Sequence, residues 1–169
     1  MVNSEPTVLM RSPGLERRSV FGPAGVNPFR CTAHDLREPN VKVKHSENVE
    51  SNAVDMEGAS GCSVRQLVGP NDGAPSFAMR QFEVEPGGHT PRHFHDYEHE
   101  VYVLEGNGEV YEDDVAHPLK QGDVILVQPN DVHQFKNTGD SPMKFLRLIP
   151  NSATSKNVTV VPECGVEKD

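Results

Sequence analysis

Short apolar runs separated by turn residues recur along the chain between Gly61 and Ile149, at intervals of about ten residues, which is typical of an all-β sandwich or barrel. The 14 glycines and 14 prolines suit such a turn-rich β protein better than a helical one. Pro86, Gly87 and Gly88 are predicted to end the strand that begins at Phe77. The predicted strands are Val64–Val68, Phe77–Glu85, Pro91–His95, His99–Leu104, Glu109–Tyr111, Val115–Leu119, Val124–Val127, Val132–Lys136 and Met143–Ile149.

The segments on either side of this strand region are more polar, and they set the predicted domain boundaries. We predict an N-terminal arm over residues 1–58, partly irregular, a β-barrel over 59–152, and a polar C-terminal tail over 153–169. The residues leave open whether the arm lies along the barrel or a partner subunit, or is a flexible tail. Alternating apolar and polar residues predict a short edge strand at Val41–His45, and Val158–Val161 is a second candidate edge strand.

Charge and cysteine content exclude several classes of partner and location. The net charge of -9 argues against nucleic acid and against an anionic membrane as partners. The first residues show no basic segment followed by an apolar one, so no secretory signal is expected. The odd number and wide spacing of Cys31, Cys62 and Cys164 fit reduced thiols rather than a disulfide framework or a zinc pattern. We therefore expect a cytoplasmic protein.

Four histidines fall where strands would point them toward one interior. His93 and His95 lie two residues apart, so they face the same side of their predicted strand. His99 opens the next strand, and His133 arrives two predicted hairpins later. Neutral imidazole is a common ligand for zinc, iron, nickel and copper. The pattern predicts that His93, His95, His99 and His133 hold one metal ion inside the barrel.

The fourth ligand has an alternative one residue further along the chain. His99 shares its strand face with Val101 and Val103, which suit a barrel interior, whereas Glu100 shares its face with Tyr102. Strand parity therefore favours His99 as the ligand. Glu100 remains the alternative, because a looser spacing would also accept it.

At this point the sequence resembles the cupin superfamily, whose two motifs read G-x5-H-x-H-x3,4-E-x6-G and G-x5-P-x-G-x2-H-x3-N. The chain departs from them at His99, where glutamate is usual, at Gln128, where proline is usual, and at Asn130, where glycine is usual. Asparagine tolerates the left-handed conformation that glycine would supply. The motif positions that match are Gly87, His93, His95, Gly106, Gly122, His133 and Asn137.

The resemblance covers roughly residues 60 to 150 and implies a double-stranded β-helix, the jelly-roll barrel. It implies one divalent transition metal ion, with iron, manganese, zinc, nickel and copper all compatible, and it places this chain with the minority that present four histidines. Four protein ligands leave two open positions on an octahedral ion but close a tetrahedral zinc site. Cupins commonly pair through strands, so the resemblance also implies a homodimer.

Two functions from different classes are compatible with these residues. The first is a small metalloenzyme, an oxidoreductase of dioxygenase type, an isomerase or a lyase, which acts on a small organic acid or carbonyl compound chelated at the metal. The second is a non-catalytic module that binds or senses a small ligand. Arg80 shares its strand face with Phe82 and Val84, so it is either an interior group for an anionic ligand or an exposed arginine.

Overall fold

The structure is a computed structural model that describes residues 41–153 and 158–162. The predictions for residues 1–40, and for Cys31 and Cys164, lie outside the described residues. No helix in the described part of the chain is both long enough and apolar enough to cross a bilayer.

The described residues are almost entirely β-structure, as the strand spacing predicted. Two single-turn 3-10 helices, Ser46–Asn48 and Pro70–Asp72, interrupt the strands. The strands are β1 (Ser51–Ala53), β2 (Ser60–Val68), β3 (Phe77–His89), β4 (His93–His95), β5 (His99–Glu105), β6 (Asn107–Glu112), β7 (Val115–Lys120), β8 (Val124–Val127), β9 (His133–Lys136), β10 (Met143–Pro150) and β11 (Val158–Val160).

All strand pairs are antiparallel, and together they form a curled sheet. Its main path runs β11-β4-β9-β3-β10-β5-β8. The pair β1 and β2 extends from β3, and the hairpin of β6 and β7 joins the sheet through β9. Because β9 pairs with β3, β4 and β6, it brings the second histidine motif beside the first. This arrangement is the jelly-roll barrel that the sequence predicted.

The core lies on the concave side of this sheet and is built from alternate residues of each strand. Along β5, Val101 and Val103 are buried while Tyr102 is exposed. The rings of Phe82 and Phe145 stack with their centroids 5.3 Å apart. Phe135 also stacks on Phe145, with centroids 4.9 Å apart, so three aromatic rings join β3, β9 and β10.

The predicted edge strand at Val41–His45 is wrong, since these residues form no strand and are all exposed. The apolar residues of this segment have no neighbouring strand to pack against, and the exposed fraction of Val43 is 90%. Instead the two lysines hold the segment to a loop: Lys42 Nζ donates to the backbone carbonyl of Asp72 at 2.7 Å, and Lys44 Nζ pairs with its carboxylate at 2.9 Å.

The predicted end of a strand at Pro86–Gly88 is also wrong, because β3 continues to His89. Between the pairs Ser60–His89 and Cys62–Val84, the register shifts by several residues, which makes this stretch a bulge. Gly87 supports the bulge with a φ of 74°, a conformation that glycine adopts readily. The terminal candidate strand is confirmed as β11, which pairs with β4.

Asn137, the last residue of the second motif, ties the bulge of β3 to the turn before β10. Its side-chain amide donates to the carbonyl of Val84 at 2.7 Å and to that of Ser141 at 2.8 Å. Its side-chain oxygen accepts a hydrogen bond from the backbone N–H of Gly139 at 2.9 Å. All three bonds of a buried side chain are thus used to satisfy backbone groups.

Asn137→Ala is therefore expected to lower the free energy of unfolding by about 2–4 kcal/mol, because it leaves several backbone groups without partners. Urea denaturation would measure the change. Asn107→Ala is the matched control, because Asn107 is exposed, and it should change stability by less than about 0.5 kcal/mol. Equal effects of the two substitutions would contradict the role given to Asn137.

Candidate metal centre

Three strands deliver the four predicted ligands to one place in the barrel. His93 and His95 begin and end β4, His99 opens β5, and His133 opens β9. Antiparallel pairing of β4 with β9 places His93 directly opposite His133. The short turn between β4 and β5 returns the chain so that His99 comes back to His95.

The four imidazoles are buried and converge. Their exposed fractions are between 0 and 5%. One ring nitrogen from each lies within 4.8 Å of the corresponding nitrogen of every other. Two nitrogens bound to one ion at about 2.1 Å can be at most about 4.2 Å apart. Only a small contraction is therefore needed for all four to bind a single ion.

Backbone carbonyls set the tautomers of two of these rings. His93 Nδ1 lies 2.8 Å from the carbonyl oxygen of Pro91, and His133 Nδ1 lies 2.9 Å from that of Asp131. A carbonyl can only accept, so Nδ1 carries the proton in both rings and donates it. The lone pair is then on Nε2, and in His133 this buried nitrogen has no partner among the described residues. Such an outer hydrogen bond is the usual way to orient a metal-binding histidine.

The other two histidines meet through their ring nitrogens. His95 Nε2 and His99 Nε2 are 2.7 Å apart, which is hydrogen-bonding distance when no ion lies between them. Nδ1 of His99 is buried and has no partner in the described part of the chain. The Nε2 atoms of His95 and His99 and the unpaired Nε2 of His133 therefore offer lone pairs to a cation in the cluster.

Electrostatics keep all four imidazoles neutral at physiological pH. Burial is the main cause in each case, and it lowers the pKa of His93 to about 4 and that of His133 to about 3. The pKa values of His95 and His99 are also lowered, first by burial and also by the positive charge of Arg147. Neutral imidazole is the form that binds a metal, so the site needs no proton release near pH 7.

The alternative ligand, Glu100, points away from this cluster. It is exposed on the outer face of β5, whereas His99 is fully buried. The cluster therefore offers four imidazole nitrogens and no carboxylate among the described residues. Zinc, copper, iron and nickel all accept such ligands. The donor set and the unpartnered ring nitrogens fit a bound transition metal ion.

Three further residues, two of which the sequence analysis missed, surround the cluster. The ring of Tyr97 stacks on His95 with a centroid distance of 3.9 Å. Arg147 lies on the interior face of β10, and its guanidinium sits 4.2 Å above the ring of Phe82. Arg80 is half-buried on β3, with its Nε covered and its side chain on the same strand face as the core residue Phe82. Arg147 could have been found from sequence, because it shares strand parity with Phe145.

A cleft of about 460 Å³ runs between β8 and the hairpin of β6 and β7 and reaches the cluster at His133. Its volume is in the range of small-molecule sites. Apolar side chains that line it include Val110, Leu119, Ile125 and Val127. The cleft therefore gives a small, partly apolar molecule a route to the histidines.

Comparison with known proteins agrees with the geometry. The sequence profile of the Cupin domain matches residues 80–149. The solved structure of the polyketide cyclase RemF from Streptomyces resistomycificus is 31% identical, with a TM-score of 0.68, over 74% of this chain and 88% of that one.

Two curated proteins match shorter stretches. Protein SchB of Streptomyces halstedii is 47% identical over 83 residues, which is 47% of this chain and 59% of that protein. The oxalate-binding protein of Thermotoga maritima is 31% identical over 70 residues, which is 41% of this chain and 58% of that protein. The chain thus spans less than two thirds of the length of these curated relatives. Together with the barrel and the four converging histidines, these similarities show that the chain belongs to the cupin superfamily.

Proposed function

We propose that this cupin is a metal-dependent enzyme that cyclises a polycarbonyl substrate of the polyketide class. The observation that carries the proposal is the buried cluster of four neutral histidines at the end of a partly apolar cleft. Similarity to the polyketide cyclase RemF over most of both chains supports the choice of substrate class. Within the metalloenzyme prediction, the proposed cyclisation corresponds to isomerase- or lyase-type chemistry, and dioxygenase chemistry is not proposed.

His93, His95, His99 and His133 would hold the metal. When bound, a divalent ion among four neutral imidazoles keeps its full charge and supplies Lewis-acid chemistry toward a carbonyl oxygen. The chain's own residues prepare the site: the carbonyls of Pro91 and Asp131 orient two of the rings. Apolar side chains of the cleft, among them Val110 and Leu119, give the carbon skeleton of the substrate a surface to pack against.

Tyr97 carries an exchangeable proton beside the cluster, since its ring stacks on that of His95. Burial raises the pKa of its phenol, so the hydroxyl stays protonated at neutral pH. In this role Tyr97 donates a hydrogen bond to a substrate oxygen and does not remove a proton. The substrate carries acidic C–H groups, each between two carbonyls. Solvent or buffer can therefore remove the proton that the reaction requires.

The test is turnover of a linear poly-β-ketone thioester by metal-loaded and metal-free protein, with products separated by mass spectrometry. Cyclisation followed by loss of one water, only with metal-loaded protein, is the expected result. Cyclised products at the same rate with metal-free protein would overturn the proposal.

The second candidate is a binding module, which the similarity to an oxalate-binding protein supports. Calorimetric titration of metal-loaded protein with oxalate separates the two. Tight oxalate binding together with no turnover of any polycarbonyl compound would favour the module over the enzyme.

A further inference from the structure

Arg80 and Arg147 face each other inside the barrel. They are direct partners in the pairing of β3 with β10. Alternate residues of the same strands, Phe82 and Phe145, form the buried aromatic core. Directly opposed residues of antiparallel strands have Cβ atoms about 5 Å apart, so two guanidinium groups occupy neighbouring positions on the interior face.

Neither guanidinium has an acidic partner in the described part of the chain. The Nε atoms of both residues are buried without a hydrogen-bond acceptor. Other arginines of the barrel differ in this respect: Arg65 pairs with Glu47 at 3.2 Å, and Arg92 pairs with Asp114 at 3.1 Å. A carboxylate, the usual partner of an arginine whose charge is partly removed from water, is therefore missing from this half-buried pair in the described part of the chain.

Among the described residues, the acidic groups that act on the two guanidiniums are the phenol of Tyr97 and the thiol of Cys62, and burial raises the pKa of both. The four histidines are neutral, and so is the phenol of Tyr97, whose pKa is raised by burial. Burial, and then the charge of Arg80, lowers the pKa of Arg147 to about 9, so it remains mostly charged near pH 7. A divalent ion on the histidines would add two further positive charges. Buried charges of one sign are costly unless a counter-ion compensates them.

We propose that Arg80 and Arg147 form a binding site for a carboxylate carried by the substrate, beside the metal site. Planar guanidinium groups bind carboxylates through paired hydrogen bonds, and two of them can hold both oxygens. Stacking of Arg147 on Phe82 fixes the plane of one of these groups. The substrate is then a carbonyl compound that bears an acid group. This identification of the substrate rests on the proposed function, whereas the anion site rests on the arginines alone.

The experiment compares two ligands that share a β-diketone group, and the arginine variants separate binding of the carboxylate by the arginines from its binding to the metal. Acetopyruvate is a β-diketone with one carboxylate, and acetylacetone is a β-diketone with none. Calorimetry on zinc-loaded protein should find that acetopyruvate binds about 10- to 100-fold more tightly, the range expected for one or two charge-assisted hydrogen bonds. Arg80→Gln and Arg147→Gln should each remove most of this preference without changing the zinc content. Arg65→Gln, which removes an outer arginine, should preserve it.

A second measurement separates a ligand site from a structural role. If the pair is an uncompensated charge in the free protein, Arg147→Met, which keeps much of the volume, should raise the melting temperature of ligand-free protein. A lower melting temperature would contradict the proposal, and so would an unchanged preference for acetopyruvate in the two glutamine variants. If the metal-loaded wild-type protein does not cyclise polycarbonyl compounds but prefers acetopyruvate, and the glutamine variants lose that preference, the proposed function is overturned and the anion site stands.

Discussion

Replacing His93 or His133 by alanine is expected to remove most of the bound metal, whereas Glu100→Gln should leave it in place. Each alanine removes one of four buried ring nitrogens that converge within 4.8 Å. Loss of a ligand should cost more than the 10- to 100-fold in affinity that outer hydrogen-bond partners typically contribute. Glu100 is exposed and points away, so its carboxylate contributes nothing to the site. Metal content per chain, measured by elemental mass spectrometry after dialysis, checks this.

His99→Ala and His117→Ala complete the series. His99 is buried in the cluster, and its loss should match that of His93. His117 is an exposed histidine of β7 and serves as the control for removal of an imidazole. Retained metal in His99→Ala, or equal loss in Glu100→Gln and His93→Ala, would contradict the assignment of the fourth ligand.

Metal-free protein is expected to lose stability steeply as pH falls from about 6.5. Histidines in the unfolded chain take up protons near pH 6.5, whereas His93 and His133 in the fold do so only at about 4 and 3. The unfolded state therefore binds more protons between these values, and falling pH favours it. His93 alone accounts for about 3 kcal/mol by pH 4. Urea denaturation of metal-free protein at several pH values between 7.5 and 5 measures the slope.

His133→Asn is expected to flatten this slope, because it removes one buried group that must stay neutral in the fold. Stability that stays constant between pH 7.5 and 5 would show that the cluster does not titrate as its burial requires.

Much of the barrel could be predicted from sequence because its signals are local. Turn residues at regular spacing gave most of the strands, and strand parity placed His99 inside and Glu100 outside. The bulge in β3 could not be predicted from the residues, since Pro86–Gly88 reads as a turn unless pairing with β2 is known. Val41–His45 was misassigned for the same reason: alternation predicts a strand only where a neighbouring strand exists to pair with it.

The arginine pair shows a second limit of sequence reasoning. The interior position of Arg80 was one of two options, and only the register of β3 with β10 brings Arg147 opposite it. Register is set by distant parts of the chain, so the sequence gives no direct sign of the pair. The homodimer, the cytoplasmic location, the exclusion of nucleic acid and membrane as partners, and the domain division with an arm over residues 1–58 remain predictions.

The most direct test of the account is a crystal structure of metal-loaded protein with anomalous diffraction recorded at the absorption edge of the metal. We expect one anomalous peak per chain, within about 2.0–2.2 Å of a ring nitrogen of each of His93, His95, His99 and His133. A peak held by other residues, or no peak among the four rings, would contradict the claim that these imidazoles share one cation.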